Sequence, residues 1–384
     1  MKLSLIPRIK VNYSFISLLK AVMVSERRTF FRDECKAILS DFYQGENVCL
    51  VPSARDAIYE LVTRLPQKKV IIPTYTCIAV DEAICLSGKE IVYSKTDRNT
   101  FNASYVESID SNTIVLATHQ YGLPCDIETI ALKCKHKGAI LIEDCATSMG
   151  TVVKGKMTGT FGDYAVVSFN ASKMLNVPPF GGVLIGKNAE MLNRIEKESE
   201  WGEPSLRFKI KGLIRGAAFV LTKNDVFYRI FHYITIQSKG KFQKTEHEQP
   251  SRQKTALYSY KFSEWQASIL LKQLLQLKDL FEKRKELYKL YNEQIINPLV
   301  KKPVYVEDAV CCRYAILVEK RNEFYHECVK KGVDMDFSHC SLACPKRYED
   351  EYKMASHILN IPFNTNLTKK EVSKVIEVVN SIIL

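Results

Sequence analysis

The 384-residue sequence lacks several features that would assign a chain to a membrane, secreted or nucleic-acid-binding class. No uncharged run approaches the roughly 20 residues that a membrane-spanning helix needs. The N-terminal stretch is broken by Pro7, Arg8 and Lys10, so it does not predict a signal peptide. The net charge of +12 favours anionic partners, but no module that recognises nucleic acid accompanies it. We therefore expect no specific nucleic-acid binding.

The twelve cysteines form neither a CxxC pair nor a set spaced with histidines. This spacing predicts no disulfide framework and no zinc or other metal site. We expect reduced thiols and a cytoplasmic protein.

Residues 47 to 190 alternate short β-branched runs with longer amphipathic stretches. This pattern predicts the α/β class, with a mostly parallel sheet covered by helices. Helices are expected over residues 53–65, 79–87 and 127–136, the first capped by Ser53. The predicted strands are Val70–Ile72, Ile91–Tyr93, Thr113–Leu116, Ala139–Ile142, Ala165–Val167 and Val183–Ile185.

The length favours two domains, and we divide the chain into an N-terminal segment (1–46), a large domain (47–240) and a small α+β C-terminal domain (241–384). One long helix is expected from Trp265 to about Tyr291, because apolar residues recur there at helical spacing.

Residues 205 to 235 mix apolar and basic side chains and predict helices with an apolar face and basic flanks. A peripheral contact with a membrane or a partner is one interpretation. The simpler one, which we prefer, is a connecting helix pair packed on the core or on a dimer mate.

Three groups of polar residues follow predicted strands or open a predicted helix. Ser53, Ala54 and Arg55 open the first helix, Asp144 follows one strand, and Ser168 and Lys173 follow another. Ligands of open α/β sheets bind beyond the carboxyl ends of the strands, so these groups can meet in one crevice. A helix N-terminus suits a phosphate, and a partly desolvated lysine is nucleophilic toward an aldehyde. Taken singly, each residue is more often a cap, a loop residue or a surface charge.

Together these residues belong to motifs that occur in order along most of the chain. On them the chain resembles the DegT/DnrJ/EryC1/StrS family of pyridoxal-phosphate-dependent aminotransferases, which mostly act on nucleotide-linked keto sugars. The resemblance implies the fold type I architecture of aspartate aminotransferase. The motifs that carry it are Val51–Ala57, Ile72–Thr76, His119–Asp126, Ile142–Ala146, Gly162–Phe169 and Lys173, with weaker support from Ser263–Ala267 and Leu359–Pro362.

The resemblance implies a role for individual residues. Lys173 is similar to the lysine that forms the Schiff base with pyridoxal 5'-phosphate and moves the substrate proton, and Asp144 to the partner of the pyridine nitrogen. These two are the expected catalytic residues. The expected cofactor-binding residues are Ser53, Ala54, Arg55, Cys77, Asp144, Thr147, Ser168, Lys173 and Ser259.

The sequence departs from the family pattern in five places. Cys77 stands where an aromatic ring commonly stacks on the cofactor, and Thr147 stands where a glutamine is common. Tyr75 or Tyr121 could supply another ring. The remaining departures are Arg55 for a threonine, 257–261 for a Gly-x-Asn-x-Arg stretch, and Pro178–Phe180 in a glycine-rich turn.

The resemblance therefore implies transamination from an amino acid, glutamate by analogy, to a nucleotide-linked keto sugar, in amino-sugar or cell-surface polysaccharide synthesis. It also implies a homodimer. Two alternatives stay open: a pyridoxal-phosphate enzyme that acts on a non-sugar ketone or catalyses elimination, and a non-catalytic binding or regulatory member of the fold.

Overall fold

The computed structural model describes residues 4–237, 245–251, 253, 260–337 and 341–384. The helices are α1 (Phe15–Val22), α2 (Phe30–Phe42), α3 (Ala54–Arg64), α4 (Ile78–Ser87), α5 (Ile127–Lys137), α6 (Ala189–Glu198), α7 (Leu206–Leu221), α8 (Asp225–His232), α9 (Glu264–Leu274), α10 (Leu277–Gln294), α11 (Arg321–Lys331), α12 (Glu349–His357) and α13 (Lys369–Asn380). A 3-10 turn (Gln120–Gly122) and a π-helical turn (Tyr233–Gln237) add to them.

The strands are β1 (Asn47–Val51), β2 (Lys69–Pro73), β3 (Glu90–Ser94), β4 (Thr113–Thr118), β5 (Ile140–Asp144), β6 (Val152–Val153), β7 (Lys156–Met157), β8 (Tyr164–Ser168), β9 (Gly182–Gly186), β10 (Glu246–His247), β11 (Tyr314–Leu317), β12 (Ser341–Leu342) and β13 (Ile358–Ile361).

Seven strands form the central sheet, in the order β1-β9-β8-β5-β4-β2-β3. Strands β2, β3, β4, β5 and β8 pair in parallel, and only β9 runs against its neighbours β8 and β1 within this sheet. The predicted α/β class and the six predicted strands are confirmed. The prediction omitted β1, although its apolar run from Val48 to Val51 leads directly into the cap of α3.

Alternate residues of each strand point to opposite faces of the sheet, and helices cover both. On one face, Val70, Ile72 and Ile114 share a core with α3, α4 and α6. On the other, Ile71 and Val115 pack against α5, while the β8–β9 end packs against α1, α2 and α9. Coverage on both faces explains why these strands read as continuous apolar runs.

The chain ends share a second core. Leu5 and Ile6 join the cluster built from α10, α11, α13, β11 and β13, and Ile6 bridges Val333. Helix α9 instead packs on the central sheet with α2. The division at residue 240 remains a prediction.

The helix expected from Trp265 to Tyr291 is interrupted, which corrects that prediction. Gln276, with φ −118° and ψ 16°, leaves the helical region and separates α9 from α10. Neither glycine nor proline marks the break, so the local sequence carries no signal for it.

A search for membrane-crossing helices, limited to the described residues, finds none that is long and apolar enough.

Candidate active site

A cavity lies at the carboxyl ends of β4, β5 and β8, where α3 and α4 begin. It encloses about 780 Å³ of space, part of it open to solvent. All eight predicted cofactor-binding residues that the structure describes line it: Ser53, Ala54, Arg55, Cys77, Asp144, Thr147, Ser168 and Lys173. The ninth, Ser259, lies outside the described residues.

The N-terminus of α3 forms one end of this cavity. Ser53 Oγ accepts a hydrogen bond from the Asp56 N–H (3.1 Å), which confirms the predicted cap. Gly182 lies opposite Ser168 in the β8–β9 register, and a Cβ on it would come within 2.9 Å of the Ala54 nitrogen. The absent side chain therefore lets β8 and β9 approach the helix start. Ser168 and the first turn of the helix line the same cavity.

Asp144 ends β5 and is only 6% exposed. Its Oδ1 accepts a hydrogen bond from the Ala146 N–H at 3.0 Å. Burial raises the pKa of Asp144 above its ordinary value of 3.8, and the nearby Lys173 ammonium partly offsets this. A cationic hydrogen-bond donor placed beside the carboxylate would favour its ionised form.

Lys173 is half-buried in the turn that follows β8. The turn is held by the hydrogen bond from the Lys173 N–H to the Asn170 carbonyl (2.9 Å) and by Asn176 Nδ2, which donates to the Lys173 carbonyl (3.1 Å). The charge of the Lys173 side chain lowers the pKa of both Asp144 and Cys77, against the effect of burial. The three side chains therefore lie close to one another. The structure thus brings together the two predicted catalytic residues.

The departures from the family pattern have distinct structural outcomes. Thr147 Oγ1 donates to the His119 carbonyl at 2.8 Å, and Arg55 Nη1 binds Glu82 Oε2 at 2.8 Å. The suggested substitute rings, Tyr75 and Tyr121, lie in the second core with their hydroxyls 2.6 Å apart and do not line the cavity.

Several lining residues were not predicted. Gln120 follows β4, Asn170 follows β8, and Phe180 belongs to the turn before β9. The strand-end rule that selected Asp144 and Ser168 also applies to Gln120 and Asn170, so this signal was present. The Arg215 guanidinium lies 4.6 Å above the Phe180 ring. Because this contact joins distant segments, no local sequence pattern predicts it.

Glu143, next to Asp144, points to the other side of the strand. Its carboxylate accepts hydrogen bonds from the N–H groups of Gly159, Phe161 and Gly162 and contacts His119 Nε2 at 3.1 Å. With Cys145 and His119 it forms a buried group that could in principle hold a metal ion. Because both carboxylate oxygens already accept N–H groups, we assign Glu143 to holding the 159–162 loop under β5.

A second cavity lies on another side of Lys173, lined by the N-terminal segment and the second core. Besides Lys173, four cationic side chains line it: Arg8, Lys10, Arg284 and Arg313. One carboxylate, Asp336, also lines it and pairs with Arg8 and Arg313. Arg284 is 3% exposed, its Nη1 donates to the Cys311 and Cys312 carbonyls, and it forms no ion pair with an Asp or Glu of the described residues. Burial lowers its pKa below the ordinary value of 12.5. The Arg284 charge is therefore matched by carbonyl oxygens and not by a carboxylate of the described residues.

Comparison with known proteins agrees with this architecture. The DegT/DnrJ/EryC1/StrS aminotransferase family model matches residues 38–380. The dTDP-3-amino-3,6-dideoxy-alpha-D-galactopyranose transaminase of Aneurinibacillus thermoaerophilus is 25% identical over 88% of this chain and 86% of its own length. GDP-perosamine synthase of Escherichia coli O157:H7 is 24% identical over 81% of this chain and 78% of its own. The Bacillus subtilis protein ntda, solved with bound cofactor PMP, superposes with a TM-score of 0.70 at 20% identity, covering 99% of this chain and 85% of that one.

The chain belongs to the DegT/DnrJ/EryC1/StrS aminotransferase family. Membership confirms the predicted fold, the predicted enzyme class and the predicted cofactor, pyridoxal 5'-phosphate.

The residues of the first cavity fit this cofactor. The first turn of α3 and the Ser168 hydroxyl, which line one cavity, would be the donors for its phosphate. The buried Asp144 carboxylate would hold a protonated ring nitrogen, and the Lys173 amine would bind the aldehyde carbon.

Proposed function

We propose that this chain transfers an amino group from an amino acid, glutamate by family analogy, to a keto sugar linked to a nucleotide. The observation that carries the proposal is the convergence of Lys173, Asp144, Ser168 and the α3 N-terminus in one cavity. Relatives described as a dTDP-sugar transaminase and a GDP-perosamine synthase support a sugar acceptor. We further propose a role in amino-sugar or cell-surface polysaccharide synthesis, in the cytoplasm.

Each group of residues has a separate role in this proposal. The α3 amides and Ser168 bind the phosphate group and orient the cofactor. Asp144 holds a proton on the ring nitrogen through its buried carboxylate. Lys173 Nζ would remove the proton from the substrate carbon and later donate it, so that one group serves as base and then as acid. When bound, pyridoxal phosphate supplies the aldehyde that carries the amino group and a ring that withdraws electrons.

The second cavity supports an amino-acid donor. Arg284 is a buried cation without a carboxylate partner among the described residues, and it lines the same cavity as Lys173. A buried charge is costly unless an opposite charge reaches it. In our proposal the carboxylate of the amino donor supplies that charge while its amino group reaches Lys173.

We also propose a homodimer. The family resemblance implies that a second subunit completes the cofactor site, and the stretch that would do so, around Ser259, lies outside the described residues. Sedimentation analysis of the cofactor-loaded protein tests this directly.

The test of the reaction has a chemical and a catalytic arm. Borohydride reduction of the cofactor-loaded protein should leave the phosphopyridoxyl mass on the peptide that contains Lys173. Lys173→Ala should lose this label and reduce turnover by about 10⁴-fold, the upper end for a positioned acid–base group. Lys156→Ala, on an exposed lysine, is the matched control.

Product analysis with glutamate and dTDP-, GDP- or UDP-linked keto sugars then separates the alternatives. An amino sugar together with 2-oxoglutarate supports the proposal. A deoxygenated sugar without a new amine indicates elimination. A labelled protein that converts no ketone at all indicates a non-catalytic member, and a label on another lysine overturns the assignment of Lys173.

A further inference from the structure

Exposed apolar side chains are concentrated on three helices. Of the 24 large hydrophobic residues that are exposed in the described chain, fifteen lie between residues 15 and 23 or between 206 and 234. We call these two segments, which contain α1, α7 and α8, the basic apolar face. The family resemblance does not account for it, and it lies outside both cavities.

Helix α7 is arranged in three stripes with a spacing of four residues. Phe208, Gly212 and Gly216 are buried, whereas Leu206, Ile210 and Ile214 on the opposite side are 72%, 48% and 65% exposed. Beside this aliphatic stripe the cations Arg207 and Lys211 are exposed, and Arg215 follows one turn later with its guanidinium over the Phe180 ring. This is the pattern of a helix that lies in a membrane interface.

The orientation of α7 is fixed by close packing. A Cβ on Gly212 would come within 2.7 Å of Trp265, and one on Gly216 within 3.0 Å of Leu18 and Pro178. The helix therefore cannot rotate to bury Ile210 and Ile214 without losing these contacts.

Helices α1 and α8 add further exposed apolar side chains. Lys209 Nζ donates to the Val22 and Val24 carbonyls at 2.9 and 2.8 Å, and this holds α1 beside α7. Helix α8 follows α7 after a short turn and buries Tyr228, Arg229 and His232. The exposed side chains that the two helices add are Phe15, Ile16, Leu19, Val22 and Met23 from the α1 segment, and Val226, Phe227, Ile230 and Phe231 from α8.

The positive charge of the basic apolar face indicates which kind of surface binds there. Neither α1 nor α7 contains an aspartate or glutamate, whereas Lys20, Arg207, Lys211 and Arg215 are exposed there. A two-fold contact between copies through these helices would set cations against the same cations without a compensating acid on either helix. An anionic bilayer instead offers negative charge next to an apolar phase. We infer that the basic apolar face docks this enzyme on the surface of a membrane rich in anionic phospholipid.

Vesicle co-sedimentation of the cofactor-loaded full chain tests the inference. We expect binding to mixed phosphatidylcholine and phosphatidylglycerol vesicles, weakening as salt is raised, and little binding to phosphatidylcholine alone. Each cation near an anionic membrane contributes roughly fivefold in partitioning, so Arg207→Gln with Lys211→Gln should weaken binding by about 25-fold. Ile210→Ser with Ile214→Ser should abolish it.

The matched control lies on α5, where Leu132 is 63% exposed beside two exposed lysines. Leu132→Ser with Lys135→Gln and Lys137→Gln should bind like the wild type. Equal binding to both vesicle types, or an equal loss in the α5 variant, overturns the inference. A wild type that ignores vesicles while the Ile210 and Ile214 variant changes oligomeric mass would assign the face to a second copy instead. If the Ile210 and Ile214 variant does not fold, the Arg207 and Lys211 variant still tests the inference, because it alters only exposed side chains.

Discussion

Two buried aspartates, Asp334 and Asp144, have very different surroundings in this protein. Asp334 accepts hydrogen bonds from Arg8 Nε (2.7 Å), Tyr228 Oη (2.5 Å) and Tyr325 Oη (3.1 Å), and His232 Nε2 lies 3.3 Å away. Within the described part of the chain, the Asp144 carboxylate accepts one backbone hydrogen bond, from Ala146 in the cavity wall. One region surrounds its carboxylate with partners, and the other leaves space beside it.

The pKa values follow this contrast. Burial alone would raise the pKa of Asp334, but the Arg8 charge and the hydrogen bonds from His232 and Tyr228 lower it to about 2. Burial raises that of Asp144, and Lys173 offsets only part of the effect. A fully matched buried charge is a structural element, whereas an incompletely matched one marks a place for a ligand.

Of the three buried charges Asp334, Asp144 and Arg284, removing the matched Asp334 should have the largest effect. Asp334→Asn leaves Arg8 buried without its main partner, so we expect the free energy of unfolding at pH 7 to fall by about 3–5 kcal/mol. The lowered pKa means that the ionised carboxylate stabilises the fold above the unfolded-state pKa of 3.8, and that this stabilisation is lost as the pH falls toward about 2.

Denaturant unfolding of wild type and variant between pH 7 and pH 2 measures this. The two stability curves should converge as the pH falls below the ordinary aspartate pKa. A constant difference across that range would show that the cluster stabilises the fold by packing and not by charge.

The second expected effect, at Asp144, is on catalysis. Asp144→Asn keeps an oxygen for the Ala146 N–H but removes the charge that we propose for holding the ring-nitrogen proton, so turnover should fall on the order of a hundredfold, or about 2.7 kcal/mol. Since the raised pKa means that ionisation of Asp144 destabilises the cofactor-free fold as the pH rises above the ordinary range, the variant should be no less stable at pH 7. A large loss of stability with unchanged turnover would show that Asp144, like Asp334, stabilises the fold and does not take part in catalysis.

The smallest expected effect is at Arg284, the incompletely matched cation. Arg284→Gln should raise KM for the amino donor by about tenfold, one lost charge-assisted contact, while KM for the sugar and the melting temperature change little. The neighbouring Lys285→Gln, whose ammonium lies 3.6 Å from Asp308, serves as control. If KM rises for the sugar and not for the donor, the second cavity is not a carboxylate site.

Local sequence was enough to predict much of this site. The strands that precede Asp144 and Ser168 are apolar runs of the expected length, and Ser53 caps α3 through a side chain only three residues from its donor. Caps, strand ends and turns depend on neighbours along the chain, so Ser53, Asp144 and Ser168 could be chosen before any packing was known. Cys77 and Thr147 were candidates only through the family resemblance.

Only the tertiary structure decided which distant side chains meet. Arg8 and Asp334 are 326 positions apart, and Arg284 reaches Lys173's second cavity from another core. The break at Gln276 and the exposed stripe of α7 likewise depend on what each helix packs against. By itself the sequence determined the class of fold, the family and the residues at the strand ends, because these are recorded in local periodicity and motif order. The pairing of buried charges was decided by packing, because a charge is matched or left open only when the rest of the chain closes around it.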